Sequence, residues 1–416
     1  MLQAPRGTQD IYGEEMKIWR YIENNVRQIT DVYGYSEIRV PIFEHTELFL
    51  RGVGDTTDVV QKEMYTFEDK GGRSLSLRPE QTAGTARAFI ERGMHNQPQP
   101  TKLFYIGPNF RYERPQEGRF RQHTQFGIEA FGAGGFGAEA EVISLGWELL
   151  SALGLDVTVN LNSIGCADCR KIYHERLKKF LGEQFEGLCG VCKQRFEKNP
   201  LRVLDCKMLS CKDLLEHAPS VLDSLDEACL AHFNGLQELL TRMKIPFVIN
   251  PKIVRGLDYY TRTVFEFIKD GLTVIGGGRY DTLVEQVGGT ATPAVGFGMG
   301  MERLVLLLQK QGSLAQICDA PQIFIGHMGD EGFAKAQELT HALRRAGIRA
   351  ESDLIGRGVK AQMKYANKLN ARYTMILGET EIAENAANIK NMETSEQERV
   401  QLAELAEFGG FRACTK

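Results

Sequence analysis

Apolar residues recur at three- and four-residue intervals from 14 to 33, where charges separate Trp19, Ile22, Val26, Ile29 and Tyr33, and this period predicts an amphipathic helix. Gly34 stops it, and the period then shortens to two. Ser36 to Phe43 reads as a strand, with Pro41 suited to a sheet edge. Up to about residue 145, strand-like runs dominate: Met64 to Phe67, Ser74 to Leu77, Leu103 to Ile106 and Gln125 to Ile128, with helical stretches at 81–93 and 138–153. Strands in sequence-adjacent pairs favour an antiparallel α+β sheet over strict strand–helix alternation.

Residues 166–250 change character: helical in period, rich in Leu, and holding seven of the nine cysteines. They read as a mostly helical insertion in a larger sheet domain, 1–320. Strand chemistry returns at 253–275, and Val295 to Gly300 runs into a helix over Met301 to Lys310. A linker begins at Gln311-Gly312-Ser313. After Pro321 the order is strand (Ile323 to Ile325), helix (331–346), strand, helix (358–370), strand (Tyr373 to Leu377), which predicts a small α/β domain with parallel strands over 321–416.

Composition narrows this little. Hydrophobic residues at 43% and charged residues at 25% of 416 exclude a disordered chain. No apolar run is long enough to span a membrane, and the N-terminus lacks the apolar core of a secretory signal. An odd number of cysteines is a poor disulfide framework, so a reducing, cytoplasmic setting is expected. The net charge of −4 argues against a nucleic-acid partner only as a sum. Residues 344–372 hold eight basic and two acidic residues, whereas 373–416 hold four basic and eight acidic. Within the basic stretch, Lys360, Lys364, Lys368 and Arg372 recur every four residues and form one stripe, either a solvated helix face or a surface for a polyanion.

Candidate chemistry concentrates in 103–132. Period two puts Arg111 and Glu113 on one face of a first strand, and Gln125 and Glu129 on one face of a second. Paired as a hairpin, they make one polar surface: Arg for the oxygens of a phosphate, Glu for a cationic amine or imidazole. A solvated sheet face is the plainer alternative. Arg255 to Thr261 brings Arg, Asp and two Tyr beside a Gly, and Gly296 to Arg303 leads glycines into a helix N-terminus, a corner that packs tightly or receives an anion. The latter lacks the downstream acidic residue of a dinucleotide site.

Phe110 to Pro115 with Arg119 to Glu129, and Gly298 to Arg303, resemble the second and third signature motifs of class II aminoacyl-tRNA synthetases. Arg255 to Thr261 is similar to the histidine-specific signature of the histidine–tRNA ligase family, and Leu77 to Glu80 and Pro5 to Thr8 match it too. The resemblance spans essentially the whole chain in order. It implies a synthetase-like antiparallel catalytic domain that binds L-histidine and ATP with Mg2+, forms histidyl-adenylate, and passes the histidyl group to the 3′ end of tRNA(His). By this resemblance Arg111 holds the α-phosphate and Arg255 stabilises charge on it, with Glu113 and Arg303 also on ATP. Glu80, Gln81, Thr82, Gln125 and Glu129 hold the amino acid, and Tyr259, Tyr260 and Tyr280 frame its imidazole. Arg114 and Gln116 meet the tRNA acceptor end, and Lys360 and Lys364 lie in an anticodon-binding C-terminal domain. The resemblance also implies a homodimer built on the helix at 14–33 and the strand with Pro41. Gln81, Glu117 and His123-Thr124 depart from the family pattern. The alternative is a non-catalytic synthetase-like regulatory subunit of histidine biosynthesis.

No metal is assigned to the reaction. Cys166-x2-Cys169 and Cys189-x2-Cys192, nineteen residues apart, have zinc-ribbon spacing and fit one structural zinc site or a set of buried thiols, with Cys206 and Cys211 close by.

Overall fold

The computed structural model describes residues 2–54, 57, 59–198, 200–204, 206, 208–253, 257–312 and 320–411. Arg255, with Val254 and Gly256, lies outside them, as does most of the expected linker. The chain divides into two compact units, Met1–Leu314 and Ala315–Lys416.

Sixteen strands are described, eight of them in the main sheet: β1 (Ser36–Glu37), β5 (Thr101–Phe110), β6 (Gln122–Phe131), β7 (Thr158–Ser163), β8 (Phe247–Ile249), β9 (Thr261–Lys269), β10 (Leu272–Arg279) and β11 (Ala294–Gly300). A side sheet holds β2 (Phe43–His45), β3 (Thr66–Glu68) and β4 (Ser74–Leu77). The second unit holds β12 (Ile323–His327), β13 (Ala350–Ser352), β14 (Tyr373–Leu377), β15 (Ala386–Asn391) and β16 (Gln397–Gln401). The main sheet runs β1-β5-β6-β11-β10-β9-β7-β8, antiparallel through its centre and parallel only where the short β1 and β8 join the edges.

One sheet face is apolar. Phe104, Phe126 and Phe297 meet edge to face across β5, β6 and β11, with ring centroids 6.4 and 5.5 Å apart. Helix Gly137–Ala152 lies against this face, its Gly146 seated among Ile275, Phe267 and Phe297. Helix Gly13–Val32 packs on that helix and on helix Met301–Gln311, burying Trp19, Ile22 and Val26 of the stripe that its sequence period predicts, together with Ile18, while Ile29 and Tyr33 are half-buried. The opposite sheet face carries the polar residues of β5 and β6 and is the floor of the cleft.

The continuous strand expected over Ser36 to Phe43 is two pieces. After β1 the chain leaves β5, and β2 pairs with β4 in the side sheet. Pro41 has no N–H for a ladder, and the carbonyls of Val40 and Pro41 are taken by the buried guanidinium of Arg78. β5 likewise stops at Phe110, short of Arg111 and Glu113, because the N–H of Tyr112 turns away to the carbonyl of Glu63, 2.7 Å distant.

Between β7 and β8 the chain is helical, as expected, but not of one piece. Residues 173–221 bury Tyr173, Leu177, Leu181, Leu188, Val203, Leu215 and Val221 in a small core of their own. Helix Glu227–Arg242 instead docks on helix Gly137–Ala152, where Nε2 of His232 lies 2.6 Å from Glu139. Glu139 also receives the fully buried guanidinium of Arg279 from the end of β10. Burial alone would raise the Glu139 carboxyl, but Arg279 and His232 hold it below its ordinary range. Removing one partner from such a buried pair costs about 3–5 kcal/mol.

The second unit has helices on both faces of its sheet, order β13-β12-β14-β15-β16. Ile323 and Ile325 face the core beneath helix Gly329–Arg345, and Phe324 faces helix Val359–Lys368 with Ala366. β12, β13 and β14 are parallel as the alternation predicts, whereas β15 and β16 add an antiparallel edge.

Candidate active site

The cleft, about 950 Å³, opens over β5, β6, β10 and β11. Its floor depends on glycines placed opposite long polar side chains. The register pairs Tyr105 with Gly127 and Glu129 with Gly296, and sets Gln125 opposite Gly300, diagonal to Gly298. A Cβ at Gly296 would collide with the Glu129 carboxyl, and one at Gly298 with the Gln125 amide. The missing side chains let Glu129 and Gln125 lie across the sheet, so the run leading into helix Met301–Gln311 is a close-approach surface more than a phosphate loop.

Glu129 is 1% exposed. The Tyr105 hydroxyl donates to its Oε1 at 3.0 Å and the Tyr280 hydroxyl to its Oε2. Burial, with Glu80 close by, lifts its pKa from 4.5 to about 8 against the pull of these hydroxyls. Glu80 is also raised by burial, although its two oxygens accept the N–H groups of Thr82 and Ala83, both at 2.8 Å, at the start of helix Thr82–Glu91. Tyr259 stacks at a tilt on Tyr260, 4.7 Å between centroids, and meets Tyr280 edge-on at 5.5 Å. Two buried carboxyls beneath three aromatic rings make one end of the cleft suited to a small cation.

The other end is cationic. Arg111 is anchored through Nε to the carbonyl of Pro79 at 2.8 Å, and Arg303 through Nη1 to the carbonyl of Thr273 at 2.7 Å. Glu113 takes Arg119 at 3.4 Å, and Gln116 and Arg119 bridge the hairpin loop through their backbones. Of the expected residues, Glu80, Thr82, Arg111, Glu113, Gln116, Gln125, Glu129, Tyr259, Tyr260, Tyr280 and Arg303 line this one cleft. Gln81 is not among them: its amide donates to the carbonyl of Gly107 at 3.2 Å, steadying β5. Arg114 is not among the lining residues either. Lys360 and Lys364 stand exposed on helix Val359–Lys368 of the second unit.

Three contributors were not picked out from sequence. His123 lies between Arg111 and Arg303; burial and these two cations drive its pKa down to about 3, and its buried Nδ1 has no partner. Period two from Gln125 and Glu129 puts His123 on the same face, a signal available in the sequence. Asn109 donates to the Oε1 of Gln125 at 2.8 Å, which fixes the orientation of that amide. Glu302 accepts the N–H of Thr124 at 2.6 Å, and burial raises its pKa to about 7.

No described cysteine lines the cleft. The single four-thiol set expected from spacing is not formed: Cys166 and Cys169 gather with Asp226 and Cys229, whereas Cys189 and Cys192 gather with Cys206 and Cys211. Either cluster has the ligand types to hold a metal.

Comparison with known proteins agrees with this geometry. The Histidyl-tRNA synthetase family model matches residues 7–304, and the Anticodon binding domain model matches residues 322–408. The chain is 53% identical over 390 residues to a histidine–tRNA ligase of Clostridium kluyveri and 52% over 391 residues to one of Clostridium perfringens, covering 94% of each chain in both comparisons. Its structure superposes on that of apo histidyl-tRNA synthetase from S. aureus with a TM-score of 0.83 at 39% identity, over 99% of this chain and 100% of the other. With a fused antiparallel catalytic unit, a cleft cationic at one end and acidic at the other, and these relatives over nearly its full length, the chain belongs to the histidyl-tRNA synthetase family.

Proposed function

We propose that the cleft activates L-histidine with ATP and that the chain then transfers the histidyl group to tRNA(His). The carrying observation is the juxtaposition of Glu129, buried beneath Tyr105 and Tyr280, with the anchored Arg111 and Arg303 in one cavity. The amino acid's ammonium and imidazole N–H groups meet Glu129, Glu80, Thr82 and Gln125, framed by Tyr259, Tyr260 and Tyr280. Its carboxylate oxygen attacks the α-phosphorus of ATP, the bond from that phosphorus to the bridging oxygen breaks, and pyrophosphate leaves.

Arg111 holds the α-phosphate, Arg303 the outer phosphates, and Arg255 the charge that grows in the transition state. Mg2+ arrives with ATP as part of the substrate and meets Glu113. The terminal ribose hydroxyl of the tRNA then attacks the acyl carbon, releasing AMP. Arg114 and Gln116 meet the acceptor end, and Lys360 and Lys364 the anticodon stem.

A buried carboxyl that bonds substrate N–H groups rejects amino acids lacking them, so discrimination needs no editing step. Ile42 and Phe43, 45% and 55% exposed at the start of β2, suit the interface of a homodimer. Among the described residues the seven cysteines are unbridged, which suits a reducing cytoplasm. The regulatory-subunit reading leaves the anticodon-type unit without a role. Charging of tRNA(His) with radiolabelled histidine is the test: acylation that needs ATP supports the proposal, and histidine binding without acylation refutes it.

A further inference from the structure

We propose that the helical segment between β7 and β8 holds two structural zinc ions, one on Cys189, Cys192, Cys206 and Cys211 and one on Cys166, Cys169, Asp226 and Cys229. In each group the ligand atoms all lie within 4.8 Å of one another. Tetrahedral zinc with Zn–S bonds of about 2.3 Å sets its sulfurs about 3.8 Å apart. Sγ of Cys189 is 3.9 Å from that of Cys206, and Sγ of Cys166 is 3.6 Å from that of Cys169. These are tetrahedron edges, well beyond a disulfide bond of about 2.05 Å.

The first group sits inside the small core of residues 173–221, where Cys192, Cys206 and Cys211 are buried and Cys189 is half-buried. That core is served by short elements, helices Gly190–Lys198 and Leu209–Leu214 among them. A few short helices bury little apolar surface, and a four-thiolate ion supplies the missing cross-links. The backbone N–H of Cys189 already points at the sulfur of Cys211, 3.2 Å away, the kind of donor that steadies a metal-bound thiolate.

The second group rests on different evidence. Two helix starts converge: Cys166 precedes helix Ala167–Glu183 and Asp226 precedes helix Glu227–Arg242. Asp226 caps its helix through Oδ1, which accepts the N–H of Cys229 at 2.7 Å, while Oδ2 is turned to Cys166 Sγ at 3.1 Å. Its own N–H points at Cys169 Sγ, 3.1 Å distant. One carboxylate oxygen is thus used by the backbone and the other is directed at the sulfurs. This site clamps the entrance of the segment to its exit. Arg170, adjacent to Cys169, donates to the carbonyl of Tyr260 in the cleft wall at 3.2 Å, so the clamp also steadies that wall.

Both sites want a borderline-soft divalent ion with tetrahedral preference, which is zinc, with cobalt as its spectroscopic probe. Mass-spectrometric metal analysis of the full chain, purified under reducing conditions without chelator or added metal, should give two zinc ions per chain. Cys211→Ala and Cys229→Ala should each give one, and the double variant none. If the variants fold poorly, the wild-type chain stripped by chelator should titrate with Co2+ to two equivalents, developing the thiolate-to-cobalt absorption of tetrahedral sites. One zinc per chain lost in both single variants would mean a shared site and overturn the proposal. So would zinc unaffected by either variant, or a metal-free chain whose thiols are freely titratable or joined as disulfides.

Discussion

The cleft of the first unit and the basic stripe of the second use charge in opposite ways. In the cleft the ionisable groups are half-buried or buried, and held: Glu129 by two tyrosine hydroxyls, Arg111 by the carbonyl of Pro79, Arg303 by that of Thr273. On helix Val359–Lys368, Lys360, Lys364 and Lys368 stand exposed in a row. Buried charges act in a poorly screened environment and are worth most when fixed before the substrate arrives. Exposed ones act additively, are screened by salt, and suit a long polyanion better than a small ligand. Under the proposed function, fixed charge serves chemistry and loose charge serves docking.

This contrast orders the expected effects of substitution. The largest belong to the arginines proposed to act on the phosphates: Arg255→His and Arg111→Ala should each lower histidine-dependent ATP–pyrophosphate exchange by about 10²–10³-fold while ATP still binds. Near-normal exchange in either variant removes its assigned role. Next is Glu129→Gln, which keeps the shape but not the charge and should weaken histidine binding by about 10²-fold. Wild-type affinity for histidine should improve as pH rises toward about 8, because the proton on Glu129 must leave for the ligand's cation. The Gln variant should lose that slope; an unchanged slope assigns the proton elsewhere.

Gly298→Ala is a smaller perturbation, pushing the Gln125 amide from its place, and about a tenfold rise in KM for histidine is expected with KM for ATP little changed. Equal rises in both would point to general distortion of the sheet. Lys360→Glu with Lys364→Glu should raise KM for tRNA about tenfold, more at low salt than at high, and leave exchange untouched. A parallel loss in both assays would end the distinction between the two regions.

A separate effect is on stability. The folded chain holds the Glu129 proton up to about pH 8 and the unfolded chain only to about 4.5. Ionising Glu129 therefore opposes folding: stability is full below about pH 4.5 and falls as pH rises toward 8. Glu302, raised to about 7, adds in the same direction. Thermal midpoints of the ligand-free chain should decline across this window, less so in Glu129→Gln.

Much of this contrast could be read from the sequence, and the misses have physical causes. Where one period ran uninterrupted the boundaries were near: Ser74–Leu77 and Tyr373–Leu377 are the strands expected. Period two located Gln125 and Glu129 on one face, and Gly296 and Gly298, over which they lie, acquired a reason only from the structure. It could not show that β5 ends at Phe110, because the N–H of Tyr112 is drawn off by Glu63, remote in sequence. Asn109 was overlooked because its role is to aim another side chain. The cysteines make the same point: spacing found the two Cys-x2-Cys hooks, but their partners, Asp226-x2-Cys229 and Cys206 with Cys211, are set by how the helices return. The net charge of −4 concealed the basic stretch at 344–372.

The central claim is that this cleft activates histidine by attack on ATP, and histidine-dependent ATP–pyrophosphate exchange in the absence of tRNA tests it most directly. The account predicts exchange that requires histidine, is not supported by other amino acids, survives Lys360→Glu with Lys364→Glu, and collapses in Arg111→Ala. A wild-type chain that binds histidine but exchanges no pyrophosphate would contradict it.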